Sequence, residues 1–264
     1  MTASHFLDSA IAAALAAGQL QRSRFDATFS VDLKGAKNLV TELDLASEKL
    51  IVEMIHQQFP EHGILAEEGD YPTGDGRHVW IIDPLDGTSN FIRRYPFVAV
   101  SIALEVKGRL ELGVVYNPIL EELYVGHTGA GATRNQVPLH VSETGELGSA
   151  MLASGFPYDA WHNPHNNTDE WARFIRQTRT LRCDGSAALD LCHVASGQLD
   201  GYWEKGIYPW DMAAGIVIAR EAGAVVSDYD GLDDFLVKEQ IVAANPRLHP
   251  LMLKEIKQVA HFQT

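Results

Sequence analysis

Basic residues are scarce in this sequence: 21 Lys and Arg stand against 35 Asp and Glu, a formal net charge of −14 over 264 residues. So acidic a chain offers no electrostatic footprint for a phosphate backbone, which excludes a basic nucleic-acid-binding domain. Cysteine is scarcer still. The two present, Cys183 and Cys192, cannot build a disulfide framework. Both read as small interior hydrophobes, since no catalytic base adjoins either in sequence. Long apolar runs are also missing. The longest, Ile11 to Ala17, is mostly alanine and falls far short of the roughly 20 residues that span a bilayer. No cationic and apolar leader opens the chain, so the expectation is a cytoplasmic protein with neither membrane nor nucleic-acid partners. What is there is a globular balance, 46% hydrophobic and 21% charged, enough for a full core in one large domain or two small ones.

Phe6, Ala10, Ile11, Ala14 and Leu15 recur at three- and four-residue spacing, which predicts an amphipathic helix over 6–17. The stretch 25–38 breaks that period and reads as a polar hairpin or mobile loop. Thr41, with Asp44 three residues on, predicts a capping-box start to a second helix. Leu43, Ala46, Leu50, Met54 and Ile55 form its stripe and Pro60 stops it. Short apolar runs bounded by turns then predict strands at 64–66 and 79–82, and a hairpin of 97–106 with 110–116 joined at Lys107-Gly108-Arg109. Further strands are expected at 122–125, 150–154, 201–204, 224–227 and 241–244. Helices are expected at 170–177, 186–195, 212–222 and after Pro250. Strands alternating with helices predict an α/β architecture of layered sheets, with the polar stretch Ser142 to Ser149 as the seam between two halves.

The most informative run is Trp80-Ile81-Ile82-Asp83-Pro84-Leu85-Asp86-Gly87-Thr88-Ser89-Asn90-Phe91. An apolar strand ends at Asp83, Pro84 prevents its continuation, and Gly87 permits a tight turn into a short helix with free N–H groups. Glu67-Glu68 follows the strand at 64–66, and Asp211 opens the helix at 212. Singly, each is ordinary: Asp-Pro and Asp-Gly form turns, an acidic pair is a solvated turn, and an Asp before a helix is an N-cap. Together they predict carboxylates that select a hard cation such as Mg²⁺ or Mn²⁺, beside amides suited to phosphate.

Four blocks occur in order: Asn38-Leu39-Val40-Thr41-Glu42-Leu43-Asp44, Ala66-Glu67-Glu68, the 80–91 run, and a long block from Gly185-Ser186-Ala187-Ala188 through Trp210-Asp211. In these the sequence resembles the inositol monophosphatase family of Mg²⁺-dependent, lithium-sensitive phosphatases. The resemblance implies one α/β (α+β) domain over 1–264, a layered αβαβα sandwich with subdomains of approximately 1–143 and 144–264, working as a homodimer. It assigns Glu67, Asp83 and the Leu85 carbonyl to a first Mg²⁺ and Asp83, Asp86 and Asp211 to a second. A third, weaker ion would lean on Glu67. Thr88, oriented by Asp44, would with Glu67 deprotonate the attacking water, while the amides of Gly87 and Thr88 hold the phosphate. Asp86, Gly185, Ser186, Ala187 and Glu204 would line the alcohol side, Glu204 accepting hydroxyls of a polyol.

Lys34 matches a family loop that closes over metal and phosphate. Asp184 departs from the family pattern, either altering the ligand mouth or making a turn. The implied reaction is hydrolysis of myo-inositol 1-phosphate or related polyol phosphates by in-line attack of water. Fructose 1,6-bisphosphate, phosphoadenosine phosphate and histidinol phosphate stand as alternatives with the same mechanism. A regulatory binding partner with incidental phosphatase activity stands as an alternative of another class. Elsewhere, His162 and His165 in a Pro/Asn loop read as surface polar groups. Asp228, Asp230, Asp233 and Asp234 around Gly231 lack calcium-loop spacing and read as a turn.

Overall fold

Small side chains let the first helix lie close on the sheet beneath it. In α1 (Ala3–Arg24) the residues Ala10, Ala13, Ala14 and Ala17 are wholly buried. The computed structural model describes residues 3–33, 39–164 and 166–260, so Lys34 and His165 lie outside the described residues. The helix outruns the expected 6–17 because Gln21 is buried as a polar bridge, its Nε2 donating to Ser47 Oγ and, at 2.7 Å, to the Pro84 carbonyl. An apolar period cannot register such a residue. The stretch 25–38 contains the exposed strand β1 (Val31–Leu33), which pairs antiparallel with β2 (Leu39–Thr41) after it, and Phe25 and Phe29 pack on the Phe91 ring. Helix α2 (Glu42–Gln58) begins as expected at a capping box, Thr41 N–H donating to Asp44 Oδ2 at 2.8 Å.

Seven strands follow in sequence order across one sheet: β3 (Gly63–Ala66), β4 (His78–Asp86), β5 (Ala99–Val106), β6 (Arg109–Asn117), β7 (Glu122–His127), β8 (Gly131–Arg134) and β9 (Val137–Pro138). The β3–β4 pair is parallel and the remaining pairs are antiparallel. The short helix α3 (Thr88–Ile92) follows β4. A second sheet contains β10 (Met151–Ser154), β11 (Thr180–Arg182), β12 (Gly201–Lys205), β13 (Val225–Ser227) and β14 (Gln240–Ala244), in the order β11-β10-β12-β14-β13. Its helices are α4 (Thr168–Phe174), α5 (Ala187–Ala195), α6 (Pro209–Glu221), α7 (Phe235–Lys238) and α8 (His249–Ala260). The strands β8, β9 and β11 were not expected. At two to four residues they are too short for an alternating pattern to show.

Alternation fixes the layers. Trp80, Ile82, Val100 and Ile102 face α1 and α2, while Ile81, Ala99 and Ala103 between them face α5 and α6. In the second sheet Tyr202, Ile241 and Ala243 face α5 and α6 from the other side, and Trp203, Val242 and Ala244 face α4 and α8. The result is the expected αβαβα sandwich, with α5 and α6 as the middle layer. Gly113 on β6 lets α6 approach: a Cβ there would lie 2.3 Å from the Ala214 carbonyl oxygen. Among the described residues no helix is long and apolar enough to cross a membrane.

Between α1 and the first sheet, His62 stacks on Phe59 and, at 4.3 Å and 8°, on His78. Its Nδ1 accepts from Trp80 Nε1 at 3.1 Å, which requires that nitrogen to be unprotonated. Burial, then the neighbouring His78, pushes the His62 pKa below its usual value. The unfolded chain therefore binds the proton more readily, so this group's contribution is complete above about pH 6.5 and is lost as the pH falls through the folded value. We expect the melting temperature of the natural protein to lose its advantage over His62→Gln between pH 7 and pH 5. Parallel pH profiles in scanning calorimetry would contradict this.

Candidate active site

The parallel pair β3–β4 delivers two acidic groups to one sheet end. Glu67 follows β3, its N–H donating to the Ile82 carbonyl. Asp83, 1% exposed, lies on β4 where Pro84 stops regular pairing and the register shifts before Asp86. Asp83 Oδ1 accepts the Leu85 N–H at 2.9 Å, which fixes the turn. Gly87 then adopts φ 94°, and a Cβ there would lie 2.9 Å from the Phe97 carbonyl oxygen. Only glycine satisfies both conditions. The turn hands the chain to α3, whose first residue Thr88 donates from Oγ1 to Asp44 Oδ1 at 2.8 Å and lies 3.2 Å from the Leu85 carbonyl. Asp44 is buried behind it, its other oxygen accepting from Thr41.

The second half of the chain closes the site. Asp86 Oδ2 accepts from Ser186 Oγ at 2.6 Å and from Ala188 N–H at 2.8 Å, so a carboxylate of the first half caps the N-terminus of α5. Asn90 Nδ2 donates to the Phe97 and Asp184 carbonyls, both at 2.8 Å, and ties the two loops together. Asp211 lies in the first turn of α6 after Pro209, with Oδ2 accepting the Tyr208 N–H at 2.8 Å. These elements enclose a cleft of about 250 Å³. Glu67, Asp83, Leu85, Asp86, Gly87, Thr88, Gly185, Ser186, Ala187, Glu204 and Asp211 all line it, and Asp44 reaches it through Thr88.

Burial, and then the charges of Glu67, Asp86 and Asp211, pushes Asp83 well above the ordinary carboxylate range. Burial and the charge of Asp86 do the same to Asp211. Asp86 rises to about 6, burial outweighing its hydrogen bonds to Ser186 and α5. No Lys, Arg or His is among the described residues lining the cleft. Carboxylates so gathered offer hard oxygen donors, which fit a divalent cation. Among the described residues no three such side chains converge as closely as a bound metal requires. Asp83, Asp86 and Asp211 are each tethered through one oxygen.

Some assignments change. Cys192 is buried as expected, but Cys183 is exposed and lines the cleft, because it follows the edge strand β11 instead of entering the core. Asp184 lies beside the cleft without lining it, its main chain held by Asn90. The motif reading passed over Asp190, Tyr158 and Asn90. Asp190 is signalled by its helical spacing, four residues after Ser186. Asn90 stood in the 80–91 run without an assigned role. Tyr158 belongs to an irregular segment with no period to read. Asp228, Asp230 and Gly231 form the expected turn, with Asp228 accepting from Lys238 Nζ and from the N–H groups of Asp230 and Leu232.

Comparison with known proteins places the chain among relatives of one family. A profile of the inositol monophosphatase family matches residues 3–261. The inositol-1-monophosphatase of Synechocystis is 46% identical over 246 residues, 92% of this chain and 86% of that protein. The Nus factor SuhB of Escherichia coli is 40% identical over 254 residues, 95% of each. Among solved structures, the inositol monophosphatase of Anabaena superposes with a TM-score of 0.89 at 41% identity, covering 97% of this chain and 96% of that one.

The electrostatics carry a stability cost. A carboxyl whose folded pKa is raised contributes most at low pH, and that contribution fades as the pH rises through the folded value. Without a divalent cation, Asp83→Asn should therefore melt about 2–4 °C above the natural protein at pH 7.5, as for a gain of about 1 kcal/mol. Added Mg²⁺ should raise the natural protein's melting point more than the variant's. A variant that melts lower than the natural protein in chelator would contradict this.

Proposed function

The chain belongs to the inositol monophosphatase family, and from that premise we propose that it is a Mg²⁺-dependent phosphomonoesterase acting on myo-inositol 1-phosphate and related polyol phosphates. Membership makes it a phosphoric monoester hydrolase. The choice of ion and alcohol is our own step. One observation carries it: Glu67, Asp83, Asp86 and Asp211 line one cleft, next to a buried Thr88–Asp44 pair.

In this reading Glu67, Asp83, Asp86 and Asp211, with the Leu85 carbonyl, hold two to three Mg²⁺, or Mn²⁺ in their place. Bound there, the ions supply positive charge to the phosphate and acidify a nearby water. The chain's own groups do the rest. Thr88 Oγ1 gives its proton to the bond with Asp44, which leaves its lone pairs to accept from the attacking water. Glu67 provides the second acceptor; as the water oxygen bonds to phosphorus its proton passes through Thr88 to Asp44, while the bond from phosphorus to the alcohol oxygen breaks on the opposite side and that oxygen takes a proton from solvent water. The N–H groups of Gly87 and Thr88 hold the phosphate in line with that water. Phosphoryl transfer asks for positioning and charge neutralisation, so no covalent nucleophile is required. On the alcohol side Asp86, Gly185, Ser186 and Ala187 form the wall, and Glu204 accepts the substrate's hydroxyls.

We extend the reading to a cytoplasmic, lithium-sensitive homodimer. The relationship to the Nus factor SuhB of Escherichia coli favours a second reading, in which the chain also engages a macromolecular partner. The first reading predicts phosphate release from myo-inositol 1-phosphate that requires Mg²⁺ and stops with chelator. Its specificity constant should exceed those for fructose 1,6-bisphosphate, phosphoadenosine phosphate and histidinol phosphate. Asp83→Asn should reduce the rate about 10³-fold or more. Preference for another ester would overturn the alcohol assignment alone, and full activity in chelator or in Asp83→Asn would overturn the metal assignment.

A further inference from the structure

β10 and β12 lie side by side in parallel, with Leu152 opposite Gly201, Ala153 opposite Tyr202 and Ser154 opposite Trp203. One residue further on, the register brings Gly155 abreast of Glu204. This is the carboxyl end of both strands, where sheets of this kind take their ligands. The Glu204 carboxyl group fills the space that a side chain on Gly155 would occupy. A Cβ built there would lie 2.3, 2.4 and 2.5 Å from Glu204 Oε2, Oε1 and Cδ.

Two donors hold the carboxylate in that space. One is the main chain of Gly155. The other is the phenol of Tyr202, which donates to Oε2. Tyr202 is fully buried, so its hydroxyl has this carboxylate and not bulk water as its partner. Burial, and then the charges of Glu204 and Asp190, raises its pKa and keeps it a donor.

A third residue brackets the pair from behind. Asn167, 0% exposed, donates from Nδ2 to the Gly155 carbonyl at 2.6 Å. Its Oδ1 accepts from the Lys205 N–H at 3.2 Å and from the Tyr229 hydroxyl at 2.9 Å. The ends of β10 and β12 are thereby stapled together on either side of Glu204. None of Tyr202, Gly155 and Asn167 belongs to the carboxylate set around Asp83.

We propose that Tyr202, Gly155 and Asn167 are positioning residues that fix the Glu204 carboxylate as the acceptor for hydroxyls on the substrate's alcohol. This arrangement makes the enzyme prefer polyol esters to plain ones. The inference rests on the polyol reading of the cleft and deepens it. A glutamate left free would lose rotamer freedom on every binding event, and its hydrogen bond would recover little. A carboxylate already held aims its remaining lone pairs at the alcohol and can penalise an ester that offers no hydroxyl, because those lone pairs then lose water without gaining a donor.

The test compares two esters, myo-inositol 1-phosphate and p-nitrophenyl phosphate, whose alcohol presents no further hydroxyl. Tyr202→Phe keeps the ring and removes the donor. It should raise KM for the inositol ester about tenfold, leave kcat within about twofold, and leave kcat/KM for the aryl ester within about twofold. Gly155→Ala should show the same split, and Tyr202→Phe decides alone if Gly155→Ala does not fold. On the inositol ester, Tyr202→Phe combined with Glu204→Gln should be no worse than Glu204→Gln alone, since both act through one carboxylate. Equal losses on the two esters, or additive losses in the double variant, would overturn the positioning role. A natural protein without preference for the inositol ester would instead overturn the polyol reading beneath it, a result visible before any substitution is made.

Discussion

Holding several carboxylates together in one cleft, largely out of water, is the constraint to which this structure answers. An unpaired buried charge costs several kcal/mol even after relaxation; burial pushes Asp83, Asp86 and Asp211 upward, and the charges of neighbouring carboxylates push Asp83 and Asp211 further. A mobile loop would relieve that cost by swinging its carboxylate into solvent. The chain prevents this by placing each group at the end of a regular element and tying one of its oxygens to a main-chain N–H: Leu85 for Asp83, Ala188 for Asp86, Tyr208 for Asp211. The amides that steady the carboxylates are the ones left over where strands and helices end. A cation-hungry cleft therefore follows from local structure and not from flexible side chains.

The same constraint explains how the two halves are joined. Asp86 belongs to the first sheet, yet it accepts from Ser186 and Ala188 at the start of α5, a hundred residues away. The start of α5 is thereby registered against the carboxylate set. Asn90 adds a second tie to the main chain of Asp184, and α6 packs so closely on Gly113 that Asp211 cannot drift from Asp83. Gln21 works from the opposite face, holding the Pro84 carbonyl and so the turn that aims Asp83 and Asp86. Residues distant in sequence and unremarkable in type set the geometry of the acidic groups.

What the sequence discloses follows from this division. The strand, proline and glycine of 80–91 announce a turn with acidic groups at its corners, since each step is a local backbone rule. The capping box at Thr41 is likewise local, and so is the alternation that sends Trp80 and Ile82 to one helical layer and Ile81 to the other. Long-range relations are silent. Nothing near Gln21 says that it reaches Pro84, and nothing near Cys183 says that it follows an edge strand and faces the cleft. Tyr158 sits in an irregular stretch, where no period can place it beside carboxylates from three other segments. The Glu67 assignment was legible only as part of an ensemble, because an acidic pair after a strand is by itself an ordinary turn.

The two sheets also separate two tasks that evolution can alter independently. The first sheet, with α2 and α3, carries Asp44, Glu67, Asp83, Asp86 and Thr88, to which the proposed function gives the work on the phosphate. The second sheet contributes Glu204 at the end of β12, which the proposal sets against the alcohol. A substitution among the carboxylates of the first group disturbs charges that bear on one another, since Glu67 and Asp86 raise the pKa of both Asp83 and Asp211. A substitution around Glu204 alters one acceptor held by a neighbouring strand end and leaves the carboxylate set in place. Fold and electrostatics therefore predict that relatives built on this sandwich diverge in substrate by changing the end of the second sheet, while the turn after β4 stays as it is.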